Sequence, residues 1–163
     1  MFSTIEKVIL LKEVPFFQGM TMEQLRILAS VCDEEFFTVD TRLFKEGDPG
    51  GVLYVVVSGR VGIEQEKRKG SYARLSTVEA RSYFGESDLF TDSPRTTSAI
   101  AIQDTLTLRL CREPLIALAR QYPELSLELI KVLSGRLKEA NDRIAELTRT
   151  RPRELQKLFD KLD

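Results

Sequence analysis

Residues 84–90 read Phe84-Gly85-Glu86-Ser87-Asp88-Leu89-Phe90, and residues 93–99 read Ser93-Pro94-Arg95-Thr96-Thr97-Ser98-Ala99. A glycine turn, an acidic side chain and a short helical segment are joined here to one arginine flanked by hydroxyls. Glycine lets the backbone approach an anion, amides at the start of the 87–90 turn can point at it, and the Arg95 guanidinium can engage two oxygens at once. Glu86 would repel such an anion unless its carboxylate were occupied, and a sugar hydroxyl is a donor that would occupy it. The ligand implied is a compact phosphate beside a ribose hydroxyl. Either half alone is ordinary turn sequence, so the joint spacing carries the reading.

Upstream, the pattern is that of a compact β domain with a helical preface. Residues 2–11 form a short amphipathic helix candidate leading into Pro15-Phe16-Phe17. Met22, Leu25, Leu28, Ala29 and Cys32 share one helical face, with Thr21 as the cap. Short strands follow at 36–39 and 42–44, then a turn-rich run at 46–51. Residues 53–57, Leu-Tyr-Val-Val-Val, are β-branched and aromatic and lead through Ser58-Gly59 into Val61-Gly62-Ile63. The basic run Lys67-Arg68-Lys69 reads as a solvated hairpin tip, and Asp33-Glu34-Glu35 as exposed carboxylates without convergent metal ligands.

The set Phe84, Gly85, Glu86, Ser87, Leu89, Pro94, Arg95, Thr96 and Thr97 closely resembles the phosphate-binding cassette of the cyclic nucleotide-binding domain family. That family includes the sensor domains of catabolite-activator-type (Crp/Fnr-like) bacterial regulators, kinase regulatory subunits and gated channels. Residues 44–48 and 53–61 match its strand, turn and glycine-bounded hairpin. The resemblance implies a mainly β fold with flanking helices: a β roll, jelly-roll-like, followed by a long C-terminal helix. It places the ribose contact on Glu86, the phosphate contact on Arg95 and backbone donors around Ser87 and Thr96, with Phe84, Gly85, Leu89 and Thr97 completing the ligand-binding set. Asp88 departs from the pattern, and its extra negative charge beside the phosphate would weaken binding. The interior of the roll is expected from Phe44, Leu53, Val55, Val57, Val61, Ile63, Leu75, Phe84, Ile100, Ile102, Leu106, Leu108 and Leu110.

From Glu113 the period changes. Pro114 suits a helix start, Tyr122-Pro123 interrupts it, and a much longer helix is predicted over about 124–147. Ile130, Leu133, Leu137, Ala140, Ile144 and Leu147 recur at alternating spacings of three and four, which is a heptad seam and predicts a parallel homodimer. The competing expectation is that this stripe packs within its own chain. The family resemblance extends to Tyr122-Pro123-Glu124-Leu125 and Ser134-Gly135-Arg136-Leu137, which look like the family's dimer helix. By its register Ala140 and Asn141 fall near the base, and Asn141 offers both a donor and an acceptor to a purine edge. Residues 1–147 are read as one domain and 148–163 as a short, partly helical tail, too short for the DNA-reading domain of the catabolite-activator-type proteins.

The 163 residues, 42% of them hydrophobic, can bury one real core. A net charge of −1, with acidic residues interleaved among the late basic ones, gives no nucleic-acid footprint. There is no histidine, and Cys32 and Cys111 sit in apolar settings as small hydrophobes, so neither catalysis nor zinc is expected. No cofactor is predicted beyond the cyclic nucleotide ligand. No signal peptide or membrane-spanning run is visible, giving a cytoplasmic expectation without membrane insertion. The leading function is a non-enzymatic sensor that binds cAMP, less readily cGMP, and signals through the long helix to a dimer mate or a separate effector protein. Two alternatives stand beside it: a nucleotide-free interaction module of the same fold, and the sensor part of a transcription regulator whose DNA-binding domain lies elsewhere.

Overall fold

A computed structural model describes residues 1–160. Three helical pieces come first. Helix α1 (Thr4–Lys12) starts in a capping box between Ser3 and Glu6, Pro15–Phe17 makes one 3-10 turn, and α2 (Met22–Ala29) starts in a second box between Thr21 and Gln24. Each box satisfies amides that the first helical turn leaves without partners. The strands are β1 (Cys32–Phe37), β2 (Arg42–Phe44), β3 (Val52–Ser58), β4 (Arg60–Arg68), β5 (Ser71–Glu79), β6 (Tyr83–Phe84), β7 (Ser98–Ala101) and β8 (Thr105–Cys111). Then come α3 (Arg112–Gln121), α4 (Pro123–Thr150) and α5 (Pro152–Phe159). The chain forms two compact units, Met1–Leu125 and the segment from Ser126 onward. None of the described helices is long and apolar enough to cross a membrane.

In the first unit, the strands make two antiparallel sheets ordered β1-β8-β3-β6 and β2-β7-β4-β5. The space between the sheets is filled by Phe37, Phe44, Tyr54, Val56, Val61, Phe84, Ala99 and Ala101. Tyr54 stacks on Phe84 at 5.1 Å, and Phe44 lies 6.1 Å from each. This is a β roll of the predicted class, but its facing differs from the expectation in three ways.

The first concerns β3 and β8. Leu53 and Val55 pair in register with Leu110 and Leu108, on the face opposite Tyr54 and Val56, yet all four are buried. Phe16 contacts Tyr83, the register partner of Val55, at 5.0 Å, and α3 packs on β8, so the helices cover this face. A strand buried on both sides hides its period, and the side facing the second sheet carries Tyr54, Val56 and the fully buried Thr107. Second, β7 turns Ala99 and Ala101 inward, leaving Ile100 and Ile102 only partly buried. Small residues are needed opposite the aromatic cluster, and Ala99 sits in register with Phe44. Third, Leu75 is 52% exposed. Ile63 pairs with Ser76 and Glu64 with Arg74, so Leu75 is the extra residue of a β-bulge and leaves the alternating pattern. Val57, Ile63 and Leu106, also expected inside, are half-buried.

Candidate functional site

The 84–97 segment leaves the roll at the end of β6 and returns at β7. Gly85 opens it with φ +82°, and a Cβ there would lie 2.6 Å from the Val52 carbonyl and 2.9 Å from Arg95 Nη1. Only glycine meets both demands without displacing the arginine. Residues 87–90 form a turn closed by the Leu89 amide on the Glu86 carbonyl at 3.2 Å, not the short helical segment expected. With no helix N-terminus at this point, positive potential has to come from side chains, Arg95 among them.

Arg95 is 4% exposed. Its Nη2 donates to the Val52 carbonyl at 2.8 Å and its Nη1 to the Gly85 carbonyl at 3.1 Å. The guanidinium carbon stands 4.2 Å over the Phe44 ring, a cation–π arrangement that ties the cassette to the aromatic core. Asp88 Oδ2 is the nearby counter-charge, 3.5 Å from Nη1. Arg95 Nε is buried and has no hydrogen-bond partner. Burial pushes the guanidinium below its usual range, while Asp88 and Tyr54 hold it up.

The loop before β3 fixes the cassette from the other side. Gly47 donates to the Arg95 carbonyl and Arg95 donates back to the Asp48 carbonyl, both at 2.8 Å, with Pro49 and Pro94 bridged beside them. The Gly51 amide donates to the Asp88 carbonyl at 3.0 Å. A Cβ at Gly50 would fall 2.5 Å from that of Asp88, so Gly50 makes room for Asp88. Arg112, at the start of α3, reaches the Leu89 carbonyl at 2.9 Å and the Asp92 carboxylate at 2.6 Å.

Phe84, Gly85, Glu86, Ser87, Leu89, Arg95, Thr96 and Thr97 therefore lie along one segment of the first unit. Phe84 and Leu89 are buried, Glu86 and Thr97 half-buried, and Ser87 and Thr96 exposed. Phe84 and Leu89 anchor the segment, leaving Glu86 and the hydroxyls as its accessible polar groups. Asn141 is an exposed residue of α4 in the second unit. On the same helix Ile130, Leu137 and Ile144 are exposed at 58%, 64% and 47%, with Ala140 also exposed and Leu133 and Leu147 half-buried. Gly50, Gly51, Val52 and Arg112 were not singled out as parts of the site. The Gly50-Gly51 pair was legible only as a turn, and the remaining two contacts arise from long-range packing.

Residues 34–122 match the family model of the cyclic nucleotide-binding domain. The chain is 32% identical over 131 residues to the "Cyclic AMP receptor protein" of Thermus thermophilus, a match covering 80% of this chain and 61% of that protein. It is 30% identical over 138 residues to the "CRP-like cAMP-activated global transcriptional regulator" of Mycobacterium tuberculosis, covering 85% and 62%. Both matches span less than two thirds of the relative's length. Among solved structures, the N-terminal domain of a transcriptional regulator from Streptomyces coelicolor superposes with a TM-score of 0.75 at 31% identity, covering 82% of this chain and 95% of that one. The chain belongs to the cyclic nucleotide-binding domain family, and it resembles the sensor portion of Crp-like regulators.

Proposed function

We propose that this chain is a sensor that binds cAMP in preference to cGMP and passes the binding event on through α4. The observation that carries the reading is Arg95, a buried guanidinium whose Nε lacks a partner, set in a cassette that only a glycine at 85 can close. A cyclic phosphate would take Arg95 and nearby backbone amides, and Glu86 would accept from the ribose hydroxyl. Ser87, Thr96 and Thr97 would line the phosphate side. Residues 1–147 would act as the working unit and 148–163 as a tail. Likeness to the two cAMP-named relatives supports the adenine preference, whereas the Thr96 hydroxyl leaves cGMP as the weaker ligand. Side-by-side titration calorimetry tests this: cAMP should bind at least about tenfold more tightly than cGMP. A tenfold preference for cGMP would reverse the base assignment.

The exposed Ile130, Leu137 and Ile144 support a parallel homodimer along the α4 seam, since burying each is worth about 1.5–3 kcal/mol. Leu137→Glu should convert the dimer to a monomer in sedimentation and leave the β spectrum intact. A wild-type monomer at high micromolar concentration would remove the dimer and leave the cassette reading untouched. The Asp88–Arg95 ion pair gives the nucleotide-free alternative its own support, because an internal carboxylate already neutralises the phosphate-binding cation. Absence of heat with either nucleotide would transfer the assignment to that alternative.

A further inference from the structure

Arg95 is a buried cation whose counter-charge comes from within the cassette. A guanidinium taken out of water is costly unless an anion compensates it. Asp88, itself 7% exposed, supplies that anion from 3.5 Å. Its position is built into the fold: the Gly51 amide fixes its carbonyl, and Gly50 leaves its side chain the space that any Cβ at 50 would fill. Each Nη donates to one backbone carbonyl and the buried Nε has no acceptor, so the guanidinium keeps N–H donors that a phosphate oxygen could take once the Asp88 carboxylate moves aside. A cyclic phosphate and the Asp88 carboxylate would then share one guanidinium. Two like charges at such range in a poorly solvated site repel strongly.

We propose that Asp88 is an affinity-setting residue, a built-in competitor whose carboxylate occupies Arg95 in the free chain and is displaced by the cyclic phosphate. The inference rests on the cyclic nucleotide reading above and adds what limits it. Bound phosphate replaces one anion on Arg95 with another, so part of its binding free energy is spent on releasing Asp88. Removing the Asp88 charge abolishes that competition. It also leaves the free chain's cation with only the weaker fields of Tyr54 and Asp48 beside it, so ligand then stabilises it more.

The test compares wild type with Asp88→Asn, which keeps the size, and with Asp88→Ser, which frees the space. Calorimetry with cAMP and cGMP is paired with melting temperatures in the presence and absence of each nucleotide. The expected result is a Kd lower by about tenfold or more in both variants, a lower ligand-free Tm and a larger ligand-induced rise in Tm. If wild type binds and a folded variant binds no more tightly, Asp88 is not a competitor and the nucleotide reading survives. If all three proteins fold and none binds either nucleotide at millimolar concentration, the nucleotide reading falls and takes this inference with it.

Discussion

Two arginine–carboxylate clusters on the β roll differ in how completely they close. On the second sheet, one carboxylate serves two cations: Glu64 Oε2 meets Arg42 Nη1 at 3.1 Å, and Oε1 meets Arg74 Nη2 at 3.0 Å and Nε at 3.4 Å. Arg42 also lies 3.9 Å over the Tyr72 ring, and Gly62 leaves the bare backbone on which Arg74 rests. Both cations keep partial access to water, with side chains 24% and 40% exposed. In the cassette one cation, 3% exposed at the side chain, faces one carboxylate at a longer 3.5 Å and retains an unpaired Nε. The first arrangement is satisfied from within the chain. The second leaves a buried donor without an acceptor, as Arg109 Nε beside Glu35 also does, but on a guanidinium almost wholly withdrawn from water.

Deleting the cassette cation should have the largest effect. Arg95→Ala would leave Asp88 buried without its cation and two carbonyls without their donor, a loss of about 3 kcal/mol of folding stability. Urea denaturation would measure it, and nucleotide binding should vanish from calorimetry in the folded fraction. A variant that kept wild-type affinity would show that this cluster is no more a ligand site than the one around Glu64.

Gly85→Ala comes next. The backbone there has φ +82°, and the added methyl would press on the Val52 carbonyl and on Arg95. A strained conformation of this kind costs about 1–3 kcal/mol. Because the methyl displaces the Arg95 side chain from its carbonyl acceptors, affinity should fall together with stability. A melting curve and a titration on the same preparation would check the coupling. Loss of stability with unchanged affinity would separate Gly85 from the site.

The two clusters also differ in what their sequence discloses. The cassette was legible because its glycine, glutamate, leucine, proline and arginine fall at the spacing of the cyclic nucleotide-binding domain family, to which residues 34–122 match. Local chemistry was legible too, as with the Thr21 cap and the length of α4. Partners across the sheet were not. Asp88 could be noted as an unwelcome charge, but its distance from Arg95 depends on the Gly50-Gly51 turn meeting the cassette. Leu53 and Val55 face away from the second sheet, and the sequence does not disclose it because helices cover the outer side of β3 and remove the polar alternation that would mark it. Leu75 is apolar and so expected inside, and a bulge has no clear signal in Arg74-Leu75-Ser76. The turn at 87–90 has the same origin, since tertiary hydrogen bonds to Leu89 and Asp88 hold it open.

Glu64→Gln should have the smallest effect and gives the comparison its control. Neutralising this carboxylate removes the shared acceptor charge of Arg42 and Arg74, but both cations can turn toward solvent, and the amide oxygen still accepts one hydrogen bond. The loss should therefore be about 1–2 kcal/mol, the scale of weakening a charge-assisted hydrogen bond, instead of that of stranding a buried ion. It should also shrink as salt is added, because the exposed ends of Arg42 and Arg74 are screened. Denaturation at low and high ionic strength measures both quantities. Nucleotide affinity should stay within about twofold of wild type, since the cluster is closed without a ligand and, unlike Arg95, leaves no buried described side-chain atom without a partner. A large drop in affinity on Glu64→Gln would mean that the two sheets transmit strain to one another, and the division between a closed structural cluster and an open binding cluster would not hold.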